Sequence, residues 1–321
     1  SGGGGGSKVE QALARRHVAS SGERLRLLLQ KESVDGDIVA VYSNLAFENM
    51  TRNLICHMRS LGMHRFLILA LDQELCTQLV DVGCSCFFDE RFGEGFSEHE
   101  KWTFELKSNY FRLLQLKMSY VQQIVENGYN VLLSDADSVY LSNPHDFITK
   151  LLAADGGIPD MYIQSDVRPA VVESHTWVCA GNFYLRATTA ARRFVAEVVR
   201  IMHETGFPDQ DAFQLVLTSH GQEVPFSDHV RFESAASIGF RYRLLDPLLF
   251  PNGGLYFMLR YPQKHGVEPV LIHANQNWEK QKKLTRAGLW RLSDTRRCID
   301  APLHAAAADD GDFAGGADKN T

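Results

Sequence analysis

The chain has 321 residues, of which 45% are hydrophobic and 22% charged, a composition typical of globular proteins and a length sufficient for one large α/β domain or two small ones. Its net charge of −6 and its dispersed lysines and arginines argue against a nucleic-acid partner. It contains neither a long apolar run nor a segment with signal-peptide anatomy, so we expect a soluble chain, with a membrane anchor only if one lies upstream of residue 1.

The predicted elements begin after a glycine-rich stretch. Residues 1–7 are typical of a flexible linker, and residues 8–35 of an N-terminal helical segment with its helix at 8–31. A strand at 37–42, a helix at 47–61 and a strand at 65–71 then form a βαβ unit, which implies a parallel sheet. We therefore assign residues 36–300 to a single catalytic domain and residues 301–321, rich in Ala, Asp and Gly, to a disordered tail.

Strands and helices continue to alternate through the rest of this domain. Helices are predicted at 103–127, from Pro144 onward and at 189–203, and strands at 160–164, 181–186 and 269–273. Residues 83–101 and 219–262 are predicted to be long irregular loops. The six cysteines show no paired C-x-x-C spacing and indicate no compartment. The pattern favours a doubly wound α/β fold.

Two carboxylates, Asp135 and Asp137, end a buried strand that begins at residue 130. Alternate residues of an extended segment face the same way, so both carboxylates can bind one divalent cation and leave positions open for phosphate oxygens. His273, which ends the strand at 269–273, is the candidate third ligand. A lysine cluster that includes Lys282 follows within ten residues and is a candidate clamp for a diphosphate.

Several interpretations of the acidic pair remain open at this point. It can be a turn or a helix cap, or the nucleophile and acid/base of a phosphatase of the haloacid dehalogenase type. The phosphatase motif normally follows the first strand of its domain, whereas here about a hundred residues of α/β structure precede it. A third interpretation is a nucleotide-sugar glycosyltransferase, whose metal neutralises a departing diphosphate. A non-catalytic nucleotide-sugar or glycan-binding protein is the alternative from another class.

The order of the motifs favours the glycosyltransferase. Residues 38–47, 61–62, 69–72, 128–137, 209–211 and 273–275 resemble, in this order, the nucleotide-diphospho-sugar transferases of glycosyltransferase family 77. That family includes plant and algal extensin arabinosyltransferases, rhamnogalacturonan xylosyltransferases and protist galactosyltransferases. The resemblance spans about residues 36–292. It implies a glycosyltransferase-A fold with a mixed, mostly parallel sheet, a retaining mechanism, Mn²⁺ or Mg²⁺, a UDP-sugar donor, a glycan or glycoprotein acceptor, and the Golgi lumen.

The resemblance also implies roles for single residues. Ser43 and Asn44 would contact the uridine, and Asp72 the base or ribose, although all three also suit capping and turn formation. Lys117 would lie near the donor, with a surface lysine as its alternative. The donor sugar's hydroxyls would meet Asp166 and Asn182, the latter in a segment that departs from the commoner Asn-x-Gly pattern.

The last implied role concerns the run Asp209-Gln210-Asp211. In related retaining enzymes this run places an acidic or amide group beneath the anomeric carbon, while its local alternative is a helix N-cap. Two mechanisms stay open. One is front-face attack, in which the leaving phosphate takes the acceptor's proton, and the other is double displacement through Asp209 or Asp211.

Overall fold

A seven-stranded sheet forms the centre of the computed structural model, which describes residues 20–90, 107–167, 177–218, 234–276 and 279–299. The strand order is β3-β2-β1-β4-β7-β6-β8. Four neighbouring pairs are parallel, whereas β7 runs antiparallel to both β4 and β6. The strands are β1 (Asp37–Ser43), β2 (Leu67–Ala70), β3 (Ser85–Phe87), β4 (Asn130–Asp135), β5 (Ser138–Tyr140), β6 (Met161–Ser165), β7 (Val178–Leu185), β8 (Tyr242–Leu244) and β9 (Leu271–His273). The expected α/β fold with a mixed, mostly parallel sheet is confirmed.

Helices cover both faces of this sheet. The helices are α1 (Ser21–Glu32), α2 (Glu48–Ser60), α3 (Gln73–Val80), α4 (Lys107–Glu126), α5 (Pro144–Ala154), α6 (Thr189–Thr205), α7 (Asp209–Thr218), α8 (Ala235–Ile238), α9 (Tyr261–Lys264) and α10 (Lys280–Arg286). One core contains buried residues of α1, α4, α6, α7 and α8, and the opposite core contains those of α2, α3 and α5. Because β1 is covered on both sides, its sequence is almost uninterruptedly apolar rather than alternating.

Most predicted elements are confirmed with shifts of one to three residues at their ends. The helix predicted at 8–31 was wrong at its start, because α1 begins at Ser21 with Ser20 as its non-helical N-cap. This helix buries Leu25 and Leu29 in the core, so it is part of the fold. Residues 1–19, 91–106 and 300–321 lie outside the described residues, and with them the predicted linker, the tail and the start of the 103–127 helix. The predicted loop at 219–262 was wrong in part, because α8 and β8 form within it and α9 begins at its end, while residues 219–233 lie outside the described residues. The predicted loop at 83–101 was also wrong in part, because β3 forms within it.

A separate two-stranded sheet positions the end of the last strand. β5 pairs antiparallel with β9, and Ser138 lies opposite His273 in this pairing. β5 follows β4 after a tight turn through Ala136 and Asp137. The turn after β4 and the following strand β5 therefore place the acidic motif beside the strand that ends in His273.

The segment after α10 is fastened to α2. Cys56 and Cys298 form a disulfide across 242 residues of sequence, and Arg291 donates its backbone N–H to Asn53 Oδ1 at 2.7 Å. His57 lies between the carbonyl oxygens of Tyr140 and Leu289, and burial lowers the pKa of its imidazole to about 4. A second disulfide joins Cys76 to Cys86. The spacing of the cysteines in the sequence predicted neither disulfide. Within the described ranges, no helix is long and apolar enough to cross a bilayer.

We predict a pH-dependent contribution from the ion pair of His145 and Asp37, whose Nε2 and Oδ2 atoms are 2.6 Å apart. The hydrogen bond from His145 lowers the pKa of Asp37 against the opposing effect of burial, and the same bond raises the pKa of His145. The histidine's contribution is complete below its unfolded pKa and is lost as pH rises through its raised folded pKa. The aspartate's contribution is lost only as pH falls through its lowered pKa.

His145→Ala should therefore reduce the free energy of unfolding by about 1 to 2 kcal/mol near pH 5.5, and by less at pH 9. Urea denaturation at the two pH values measures the difference. Lys150→Ala, on an exposed position of the same helix, is the control. Equal losses for His145→Ala at both pH values would contradict the assignment.

Candidate metal centre

The three predicted ligands meet at one end of the sheet. Asp135 is the last residue of β4, Asp137 lies in the turn to β5, and His273 ends β9. One oxygen or nitrogen atom from each side chain lies within 4.8 Å of the others. His273 Nε2 is 3.2 Å from Asp137 Oδ1 and 3.9 Å from Asp135 Oδ2. Two carboxylates and one imidazole are a suitable donor set for a divalent cation.

Gly181 gives the cluster the space it needs. A Cβ atom at this position of β7 would lie 2.4 Å from His273 Cε1 and 2.7 Å from Asp135 Oδ2. Neither neighbour can move away freely, because His273 is buried and Asp135 is paired with Lys117. The backbone of β7 therefore approaches the candidate ligands as closely as glycine allows, which fits a compact binding centre.

Two lysines neutralise the carboxylates from opposite sides. Lys117 Nζ on α4 is 2.9 Å from Asp135 Oδ1 and 3.0 Å from Asp209 Oδ2, and its side chain is only 2% exposed. Burial alone would lower the pKa of Lys117, but the two carboxylates raise it, so the ammonium stays charged. Lys280 Nζ pairs with Asp137 Oδ2. Burial also opposes ionisation of Asp137, but Lys280 and His273 hold its pKa well below the usual range.

Lys280, rather than the predicted Lys282, reaches the cluster. Its Nζ atom also lies 5.6 Å from the centre of the Phe47 ring, close enough for a cation–π interaction. Lys282 is exposed and pairs with Glu279, so its proposed contact with the donor remains a prediction. The lysine cluster was recognisable in sequence, but the start of α10 at residue 280 decides which lysine faces Asp137.

Asp166 is surrounded by four side-chain amides from three parts of the chain. Its Oδ1 accepts hydrogen bonds from Gln276 at 2.6 Å, Asn252 at 3.2 Å and Asn275 at 3.3 Å, and its Oδ2 accepts one from Gln210 at 3.1 Å. Gln276 has φ of 55°, an unusual backbone conformation for a non-glycine residue. These four contacts are hydrogen bonds from neutral amides that orient the Asp166 carboxylate, and none of them is an ion pair. Asn252 and Gln276 were not predicted from sequence.

The run Asp209-Gln210-Asp211 divides its side chains among three environments. Asp209 is buried against Lys117, while Gln210 reaches Asp166. Asp211 is exposed. Asp209 Oδ1 also accepts the N–H of Gln210, which is a local contact with the next residue and not the N-cap bond to a residue two or three positions further on. Asp209 and Gln210, which are adjacent at the start of α7, therefore link Lys117 to Asp166.

The remaining predicted contacts occupy the ends of the first two strands. Ser43 Oγ lies 2.6 Å from Thr51 Oγ1, and Asn44 is buried beside it. Asp72 caps α3 by accepting the N–H of Leu75, and it accepts the N–H of Leu45 as well, each at 2.7 Å. The capping alternative for Asp72 is thus what its hydrogen bonds show. A nucleotide contact by any of these three residues stays a prediction.

The chain belongs to the nucleotide-diphospho-sugar transferase family, which matches residues 61–287. This match confirms the family resemblance of the motifs.

Several curated proteins are similar to this chain in sequence. The chain is 25% identical over 302 residues to UDP-galactose:fucoside alpha-3-galactosyltransferase of Dictyostelium discoideum, covering 84% of this chain and 45% of the relative. It is 26% identical over 276 residues to beta-arabinofuranosyltransferase RAY1 of Arabidopsis thaliana, covering 82% and 49%. The chain therefore spans about half the length of these curated relatives. Mouse xyloside xylosyltransferase 1 in its apo form is 12% identical with a TM-score of 0.46, over 75% of this chain and 98% of that one.

We predict that Gly181→Ala weakens metal binding without unfolding the protein. The added methyl group must displace His273 or Asp135, so the affinity for Mn²⁺ should fall by about 10- to 100-fold, as for other changes next to metal ligands. Free Mn²⁺ measured by electron paramagnetic resonance during a titration gives the affinity. Gly22→Ala is the matched control, because a Cβ there meets no atom within 4 Å. An unchanged affinity in Gly181→Ala would exclude this position from the metal centre.

A second prediction concerns the buried cation. Lys117→Met leaves Asp135 and Asp209 without their shared counter-ion, so the free energy of unfolding should fall by about 3 to 5 kcal/mol. Lys117→Met with Asp209→Asn should lose less than Lys117→Met alone, because one of the two uncompensated carboxylates is removed. Urea denaturation of the single and double variants completes the cycle. Strictly additive losses would mean that Lys117 and Asp209 do not interact.

Proposed function

We propose that this chain is the catalytic domain of a metal-dependent, retaining glycosyltransferase that transfers galactose or a pentose from a UDP-sugar to a hydroxyl of a glycan or glycoprotein. The observation that carries the proposal is the group of Asp135, Asp137 and His273 with a lysine on either side. The similarity to a galactosyltransferase and an arabinofuranosyltransferase supports the class of donor sugar.

The charge balance of the site supports a diphosphate ligand. Asp135, Asp137 and Asp209 face the two ammonium groups of Lys117 and Lys280, which leaves one net negative charge when His273 is neutral, the form in which an imidazole binds a metal. Without a metal, burial opposes protonation of His273, but Asp137 raises its pKa well above the usual value. When bound at Asp135, Asp137 and His273, Mn²⁺ or Mg²⁺ supplies a Lewis acid for the diphosphate oxygens and makes the site positive. An imidazole among the ligands favours Mn²⁺ over the harder Mg²⁺.

The nucleotide side of the donor would lie along the ends of β1 and β2. Ser43, Asn44 and Asp72 end these strands, and the roles we propose for them are contacts with uridine. Lys280 is the lysine we expect at the diphosphate, because its ammonium already lies at the metal cluster and above Phe47. Lys282, two positions further along α10, would act only as a peripheral charge.

The sugar side would lie towards Asp166 and Gln210. Four amide donors fix the orientation of the Asp166 carboxylate, and an oriented acceptor of this kind suits hydroxyls of the donor sugar. Asn182, which we had also assigned to these hydroxyls, instead bonds to Gln164 and Ser138. A direct role for Asn182 in sugar binding therefore has less support than one for Asp166.

The reaction we propose breaks the bond between the anomeric carbon and the phosphate oxygen, and UDP leaves with the electron pair. The acceptor oxygen attacks from the face that UDP leaves, and its proton passes to the departing phosphate oxygen. Asp209 is engaged by buried Lys117 and Asp211 is exposed, which supports front-face attack over a covalent intermediate on either residue. Gln210, held at Asp166, would lie beside the anomeric centre as a neutral dipole.

The compartment is also part of the proposal. The two disulfides, Cys56–Cys298 and Cys76–Cys86, support an oxidising environment such as the Golgi lumen. A phosphatase loses its main support, because Asp135 is held by Lys117 and the chain belongs to a sugar-transferase family. The other alternative is a protein that binds nucleotide sugars or glycans without transferring sugar, and an assay of UDP release distinguishes it.

We predict UDP release from UDP-galactose, UDP-xylose or UDP-arabinose in the presence of Mn²⁺, abolished by EDTA. Asp137→Ala should remove Mn²⁺-dependent UDP binding, because it deletes one metal ligand and leaves Lys280 without its partner. UDP binding by calorimetry and UDP release by a coupled assay measure the two effects.

Asp294→Ala, at an exposed position, is the matched control, and circular dichroism reports folding in both variants. Unchanged Mn²⁺-dependent affinity for UDP in folded Asp137→Ala would refute the metal assignment. UDP binding without release of UDP from any of the three donors would favour the non-catalytic protein, and inorganic phosphate from simple monoesters would favour the phosphatase.

A further inference from the structure

His273 presents its two ring nitrogens to different surroundings. Nε2 faces the carboxylates of Asp135 and Asp137, whereas Nδ1 faces away from them. Nδ1 lies 3.2 Å from Gln164 Oε1 and 3.3 Å from Cys179 Sγ. A neutral imidazole carries its proton on one nitrogen only, so the partner of Nδ1 decides whether Nε2 has a lone pair for a metal.

The orientation of the Gln164 amide follows from its other contact. The Phe250 carbonyl oxygen lies 2.9 Å from Gln164 Nε2, and a carbonyl can only accept a hydrogen bond. Reversing the amide would place two acceptor oxygens against each other at that distance. Gln164 is fully buried, so water cannot compensate such a contact. Gln164 Oε1 must therefore face His273, and the facing nitrogen must carry the proton.

A second buried amide agrees with this orientation. Gln164 Oε1 also accepts a hydrogen bond from Asn182 Nδ2 at 3.2 Å, and Asn182 Oδ1 accepts one from Ser138 Oγ at 2.9 Å. Every donor in this series has an acceptor only if Gln164 presents its oxygen. Cys179 does not impose the same choice, because a thiol can donate or accept.

The backbone of the sheet brings these side chains together. In the pairing of β6 with β7, Ile163 lies opposite Phe183 but Gln164 lies opposite Cys179, so residues 180–182 form an irregularity in β7. This irregularity contains Gly181, which contacts the metal cluster, and Asn182, which contacts Gln164. Such interruptions of a strand often redirect side chains at functional sites.

We propose that Gln164 is a positioning residue that holds the proton of His273 on Nδ1 and so keeps Nε2 available as a metal ligand. This inference rests on the proposed metal-dependent function, but it concerns metal binding and not sugar transfer. Residues that fix a ligating histidine in this way commonly contribute 10- to 100-fold to metal affinity.

The test uses Co²⁺ as the probe in the whole protein. In the wild type, proton NMR of the Co²⁺ form should show an exchangeable, strongly shifted Nδ1–H resonance that disappears in D₂O and in His273→Ala. Gln164→Leu should lose or markedly shift this resonance and bind Co²⁺ and Mn²⁺ about 10- to 100-fold more weakly. Cys179→Ala, which removes the other neighbour of Nδ1, should keep the resonance and bind within about threefold of the wild type.

Circular dichroism reports whether each variant is folded. Absence of the exchangeable resonance in the wild type would overturn the proposal even if Gln164→Leu did not fold. Wild-type affinity in folded Gln164→Leu would also overturn it. UDP release by the wild type is assayed separately, so failure of the transferase assignment and failure of the Gln164 assignment give different results.

Discussion

The site depends on the two ion pairs that the ammonium group of Lys117 makes with Asp135 and Asp209. This ammonium group lies in the interior between Asp135 of β4 and Asp209 of α7, and above the ring of Tyr42 at 5.3 Å. An isolated buried charge would be very costly, so each carboxylate requires the lysine as much as the lysine requires the carboxylates. This one side chain from α4 therefore connects the metal-binding strand to the helix that carries Gln210.

Two other carboxylates of the site, those of Asp137 and Asp166, also have partners. Asp137 has Lys280 as its cation, whereas Asp166 has neutral amides. A site divided in this way has one half, with lysines, that suits a metal and a diphosphate, and another half, where neutral amides surround the Asp166 carboxylate, that suits sugar hydroxyls. The division follows from which elements end at the site: β4 and β9 on the side with the lysines, and β6 and the start of α7 on the other side.

Strands and long helices were largely predictable because their signals are local. The apolar runs of β1 and β2 and the helical stripe of α4 specify their own structure, and the acidic pair after β4 marked the metal centre. Contacts made by residues far apart in sequence were not accessible in this way. Gln164 precedes the predicted Asp166 by only two residues, yet its importance depends on the Phe250 carbonyl and on the irregularity in β7. The Cys56–Cys298 bond depends likewise on the path of the segment after α10.

The C-terminal segment has a consequence for how the protein is made. His273, Lys280 and Cys298 all lie late in the chain, while their partners Asp135, Asp137 and Cys56 lie much earlier. During synthesis, β1 to β4 can emerge from the ribosome and pair before any of these late residues exists, because domains begin to fold from the N-terminal side. The nascent chain must therefore carry an unfinished acidic cluster, with Lys117 as its early counter-ion, until the last strand arrives.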